Sequence, residues 1–354
     1  MENYKVLEEY FAKAYKKEEY PTLAIQREVW SKTRPLEGIT ILDATPLCYN
    51  SIYKYMNLIY AGAKLSIGIN PLSTTPTKLT ELIKQANIEL VSSKDEPKEF
   101  DIIMDCAAQF INFKAKKGRV ELTRSGTELY RERGERVFMA DGGKIKLIET
   151  CIGTGQGYFR AMDYLGYSNW NSKKLALFGC GKVGQGILKA AVERGIDVIV
   201  ISDPIAIPNH IKKIAHQIVD YRNKEAVTKA TLSCYAMVTA IGQHGAVGRT
   251  IDTEELINSN LLLANMGAED EYGNSFPSSR ILANKDSLNF ILDEPTELKY
   301  IDATLTLHNI GAEYLINNNW AYGIIQPPAE VEEELISQSI KFGVIEERLK
   351  ELYY

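Results

Sequence analysis

Three glycines, Gly179, Gly181 and Gly184, lie in the run Gly179-Cys180-Gly181-Lys182-Val183-Gly184. At this spacing the first permits a tight turn, the second lets backbone approach a phosphate, and the third lets a helix pack closely on a sheet. An acid, Asp203, follows about 20 positions after the third glycine, where a carboxylate accepts hydrogen bonds from a ribose. Together they specify a site for a dinucleotide.

The elements that must hold these residues are legible around them. Lys173 to Phe178 reads as a strand, Lys182 to Val192 as a helix, and Val198 to Ile201 as a continuous apolar strand ending at Ser202-Asp203. The unit is strand, glycine turn, helix, strand, and the helix points its unpaired N–H groups at the phosphates. Gly179, Gly181, Lys182, Val183, Gly184, Ser202 and Asp203 are therefore candidate cofactor ligands, and NAD is the expected cofactor.

Further strands are expected to end in polar residues: Asp43 and Thr45, Ser73 and Thr74, Asp105, Thr239-Ala240-Ile241-Gly242, and Asn265 with Gly267. In doubly wound sheets ligands bind outside the carboxyl ends of strands, so repetition of such ends outlines a cleft. Asp, Ser and Thr also cap helices for purely local reasons. Asn289 to Leu292 and Tyr300 to Leu307 are read as further strands, the latter leading to His308 and Asn309. The expected fold is α/β, with two doubly wound parallel-sheet domains, the second a Rossmann domain. The expected bounds are 1–150, completed by 316–354, for the first and 151–315 for the second.

Composition excludes some classes of partner. The chain has 354 residues, 45% hydrophobic and 25% charged, with a formal net charge of −5, which offers no basic surface for nucleic acid. Its five cysteines are scattered without CxxC spacing, so no metal site is expected. The first residues lack the apolar core of a secretory signal and no run reaches the length of a membrane helix, so a cytoplasmic protein without membrane contact is expected.

In this order the motifs resemble those of the S-adenosylhomocysteine hydrolase family, whose fold belongs with the formate and 2-hydroxyacid dehydrogenases. The likeness runs over 39–316. It is carried by GTGQG at 153–157, GCGKVGQG at 179–186, VTAIG at 238–242, LLANMGAEDEYG at 262–273 and LHNIG at 307–311. DATP at 43–46, PLSTT at 71–75 and MDCAA at 104–108 are less specific carriers. The resemblance implies tightly held NAD, used to oxidise a substrate ribose, promote thiol elimination and reduce the ketone again. It implies that Asn309 lies near the nicotinamide amide, that Asn265 and Gly267 line the cofactor cleft, and that Thr45 and Asp105 face the substrate. Glu149 and Thr150 stand where the family has an aspartate and an asparagine. The family's tetramers make a homo-oligomer the expectation.

The chain departs from that pattern at several chemical positions. Asp43 and Ala268 replace histidines, the acid of the family's EETTTG loop has no match in LTRSGTE, and the catalytic lysine aligns with Ile145, between Lys144 and Lys146. The family's acidic ribose ligand falls at Ser202, one residue before Asp203, which leaves NADP open as the cofactor. With the cofactor cleft kept and elimination groups lost, the expected function is a nicotinamide-dependent oxidoreductase acting on a small hydroxy or keto substrate. Lys146 or His308 would carry the proton, with Asp105 and Glu149 orienting it; Asp43, Thr45, Ser73, Thr74 and Thr150 would contact substrate. The alternatives are a true adenosylhomocysteinase and a non-catalytic NAD-binding regulator.

Overall fold

The structure, a computed structural model, describes residues 4–71 and 75–345. Ser73 and Thr74 lie outside the described residues. Among those described, the chain divides into two compact units, 4–148 with 297–345, and 149–296. Six strands precede the second unit: β1 (Thr40–Asp43), β2 (Lys64–Ile69), β3 (Glu89–Ser92), β4 (Glu99–Asp105), β5 (Lys114–Glu121) and β6 (Arg136–Met139). The second unit contributes β7 (Lys174–Phe178), β8 (Asp197–Ser202), β9 (Gln217–Asp220), β10 (Ala236–Thr239) and β11 (Leu262–Asn265), and β12 (Gly323–Ile325) follows it.

The first unit's sheet has the order β12-β6-β5-β4-β1-β2-β3 and the second's β11-β10-β7-β8-β9, with every pairing parallel. A parallel sheet has to be covered on both faces. In the second unit alternate side chains feed two separate apolar clusters: Leu175, Leu177, Val198 and Val200 enter one, and Ala176, Phe178, Ile199 and Ile201 the other. This is the α/β architecture the sequence implies. From β7 the order runs one way through β8 to β9 and the other way through β10 to β11, so the sheet reverses between β7 and β10. Ligands of such sheets bind at that reversal.

Two expectations are corrected at the return of the chain. Tyr300 to Leu307 is not a strand, and 297–315 does not belong with the second domain: Leu298–Asn317 is a helix of 20 residues within the first unit. It is buried almost all round, its polar residues included, so no amphipathic period separates helix from strand. Gly311 lets it lie on the sheet, since a Cβ there would come within 2.5 Å of Val120 and 2.7 Å of Phe138. A smaller correction follows the same logic. Asn289 to Leu292 falls on a 3₁₀ turn, Leu288–Ile291. Among the described residues no helix is long and apolar enough to cross a membrane.

The buried helix is tied to the N-terminal one by a carboxylate. Asp302 accepts from the Thr22 amide at 2.9 Å, the Thr22 hydroxyl at 2.7 Å and the Leu23 amide at 3.1 Å, filling orphan donors in the first turn of Pro21–Thr33. Burial nevertheless outweighs these bonds and pushes the Asp302 carboxyl up to about 7. A carboxyl whose pKa rises on folding takes up a proton in the native state between the unfolded value, about 4, and the folded one. Stability from this group is therefore greatest below about pH 4 and is lost as pH rises through about 7. Asp302→Asn should flatten the fall in urea midpoint between pH 4.5 and 8; an unchanged slope would contradict this assignment.

Candidate functional site

In the second unit the glycine turn has the geometry its spacing calls for. Gly179 leaves β7 at φ 91°, a conformation that disfavours any side chain, and a Cβ there would come 2.4 Å from the Ala240 carbonyl oxygen. Gly184, in the helix Lys182–Glu193, would place a Cβ 2.2 Å from the Gly179 carbonyl oxygen. Around Gly181 there is open space, with nothing within 4 Å of where a Cβ would stand. Two glycines are thus needed by packing, and the third leaves room for a ligand at the helix N-terminus. The residue between them, Cys180, carries a half-buried thiol pushed up to about 11 by burial and by Cys151, so it is neutral at ordinary pH.

The neighbouring strand ends complete the rim. Asp203 is exposed to solvent in part, and its Oδ1 accepts from the Ile205 amide at 3.0 Å and from Arg222 at 3.3 Å. Arg222 is held chiefly by Asp220, at 2.7 and 2.8 Å. Ser202 ends β8 beside Asp220, its register partner on β9. At the end of β11, Asn265 is fully engaged. Its Oδ1 accepts from the Thr239 hydroxyl and the Gly267 amide, and its amide nitrogen donates to the Glu269 and Lys285 carbonyls at 2.7 and 2.8 Å. Glu271, to which no spacing in the sequence points, accepts from the Ile241 amide at 2.8 Å and from the Gly242 amide. Burial raises its carboxyl above the usual range, against the pull of those amides and of Thr239.

Before β7 the segment holding Lys146, Glu149 and Thr150 is helical, not extended. Ile145–Leu147 is a helical turn, Ile148–Thr154 widens into a π-helical one, and Gly155–Tyr164 continues as α-helix. Lys146 is buried and donates to the Leu122 carbonyl at 3.0 Å. Glu149 and Thr150 are half-buried in the widened turn. Gly155 and Gly186 let this segment pack on the helix behind the glycine turn. A Cβ at Gly155 would fall 2.4 Å from Gly186, and one at Gly186 would fall 1.6 Å from the Cys151 carbonyl oxygen.

In the first unit, Asp43 and Thr45 end β1, but Asp43 is sealed in an ion pair with Lys54, both side chains fully buried. Burial would raise the Asp43 carboxyl, yet Lys54 and the bond from the Thr45 amide hold it below its usual value; burial lowers Lys54 against the pull of Asp43. His308 stands in mid-helix, not after a strand as expected. Its Nε2 donates to the Val120 carbonyl at 3.1 Å, leaving Nδ1 to accept from the Thr45 hydroxyl at 3.4 Å. Burial, followed by the Lys54 charge, pushes it down to about 3. A neutral histidine with both nitrogens occupied is not the proton carrier expected of it. Asn309 in the same helix donates to Gln26 and to the Lys54 carbonyl.

Asp105 is turned inward, accepting from the Cys106 and Phe110 amides and the Tyr130 hydroxyl. Beside it stands an acid immediately before the LTRSGTE stretch, in which the acid of the family's loop has no match. Glu121, at the end of β5, accepts from the amides of Ala107, Ala108 and Thr123, and holds Ala107 and Ala108 at φ 58° and 53°. Burial and the neighbouring Asp105 charge push Glu121 up to about 7. Among the described residues no cluster of His, Cys, Asp or Glu is arranged to hold a metal.

With this geometry in view, the chain has a parallel-sheet α/β fold of the Rossmann type. No family model matches it. In fold it is similar to a dipicolinate synthase chain from Bacillus halodurans, with a TM-score of 0.52 at 11% identity over 78% of this chain and 99% of that one. In sequence it is similar to the S-inosyl-L-homocysteine hydrolase of Methanopyrus kandleri, 28% identical over 285 residues, 71% of this chain and 64% of that protein. The chain thus spans less than two thirds of that relative's length.

The glycine geometry separates packing from binding. Gly184→Ala should destabilise the second unit by ~1–3 kcal/mol, as overpacking against backbone does. Gly181→Ala should leave thermal unfolding nearly unchanged while weakening NAD in a fluorescence titration. Equal melting losses in the two variants, or full NAD affinity in Gly181→Ala, would contradict the assignment.

Proposed function

We propose that the second unit holds NAD and that the protein uses it to transfer a hydride to or from a small hydroxy or keto substrate. The observation that carries this is the glycine turn at the tip of β7, closed by packing at Gly179 and Gly184 and open at Gly181. The helix starting at Lys182 offers its first N–H groups to the diphosphate, and the Asp203 carboxylate accepts from the adenosine ribose. When bound, NAD supplies the hydride chemistry.

The protein's own groups have narrower duties. Lys146 is the proposed proton carrier at Nζ, its stem buried and its ammonium already hydrogen-bonded. An amine fixed at one place can pass a proton to or from a substrate oxygen set against it. Glu149 and Thr150 orient substrate, while Asp105 acts by fixing the backbone at the end of β4. Thr45, whose hydroxyl is aimed by neutral His308, offers a directed contact at the end of β1.

The sequence likeness favours a second reading, hydrolysis of a thioether between a nucleoside and homocysteine. In that reading the chain would run oxidation and reduction within one turnover. The two are separated by products. Incubation with S-inosylhomocysteine or S-adenosylhomocysteine would release homocysteine without net NADH under the hydrolase reading; a hydroxy acid would give net NADH under the dehydrogenase one. Lys146→Ala should lower kcat by ~10²–10⁴ in whichever assay is positive, with NAD affinity kept. Unchanged kcat would remove Lys146 from the mechanism.

A further inference from the structure

The strand order of the second unit says which half of a dinucleotide each strand end would meet. The diphosphate sits over the turn after β7, and the acid at the tip of β8 marks the adenosine side. The other nucleotide must then extend across the reversal, over the ends of β10 and β11. There the structure holds a buried carboxyl group to which neither the sequence motifs nor the relatives assign a role.

Glu271 is fully buried, with its carboxylate beneath Gly267, where a Cβ would fall 2.0 Å from Oε1. Two backbone amides point at it: that of Ile241 reaches both oxygens, at 2.8 and 3.0 Å, and that of Gly242 reaches Oε1. Such a set of N–H donors suits an ionised carboxylate, which has only acceptors to offer. Among neighbouring charges, Lys285 is paired with Asp270 at 3.2 Å, so that cation is already matched. Tyr272, the next residue, turns away to the Ala264 carbonyl.

We infer that Glu271 is a positioning residue that fixes the loop at the end of β10 and biases the site toward the oxidised, positively charged nicotinamide over the reduced, neutral one. The inference rests on the NAD reading of this unit. A fixed charge in a partly desolvated crevice acts on the one unit of charge by which the two redox forms differ, whereas loss of loop order weakens both forms alike.

The test is a pair of titrations, NAD and NADH, on the whole chain and on Glu271→Gln, with Glu271→Ala as the second variant because water can reach the amide of exposed Gly242. The ratio of the two dissociation constants should move toward NADH by about tenfold in either variant, a rise of about 30 mV in the potential of the bound couple. Equal weakening of both forms would overturn the inference and reduce Glu271 to a loop support, while leaving the NAD site intact. Failure of the unaltered chain to bind either form would instead remove the NAD reading.

Discussion

A missing side chain sets the geometry on which the second unit depends. The helix Lys182–Glu193 approaches β7 so closely that an added methyl at Gly184 would strike the carbonyl of Gly179, and an added methyl at Gly179 would strike that of Ala240. Because those contacts are backbone on backbone, no neighbouring side chain can yield to relieve them. The same closeness aims the helix's first amides at the space beside Gly181. Gly155 and Gly186 repeat the device one layer behind, bringing the preceding segment against this helix. The proposed cofactor site is thus a by-product of tight packing.

The first unit solves a different problem. Its strand ends and central helix contain four buried carboxylates, Asp43, Asp105, Glu121 and Asp302, each paired with a cation or with backbone donors. Each fixes a segment whose own hydrogen bonds would be incomplete. Glu121 stabilises two alanines in a left-handed conformation that costs L-residues free energy, and Asp302 supplies acceptors at the start of a helix whose first residue is Pro21. Breaking such a group leaves buried donors unsatisfied, so these acids serve rigidity before they serve chemistry.

What is legible in the sequence is what is local. The run from Lys173 to Asp203 announces strand, turn, helix and strand within about 30 residues, and each glycine has one dominant physical reason to be there. The parallel sheet follows from apolar runs such as Val198 to Ile201. The return helix is not legible, because Leu298–Asn317 is buried on nearly every side and its polar members, Asp302, His308 and Asn309, find partners such as Thr22, Val120 and Gln26 far along the chain. Without those partners in view, a histidine and an asparagine after an apolar run look like strand-end ligands. The turn Ile145–Leu147 that carries Lys146 is illegible for a related reason, since three residues of helical turn are too few to show a period. Glu121 and Glu271 escape notice because nothing local distinguishes an acid that will be buried against amides from one on the surface.

If the second unit carries a nicotinamide dinucleotide on its glycine turn, the molecule itself can be recovered. Mass spectrometry of the small molecules released when the purified protein is denatured, with a parallel sample first mixed with NAD and desalted, looks for it without assuming any substrate. NAD is expected at about one per chain in the purified or the loaded sample. Absence of NAD from both samples would contradict the account.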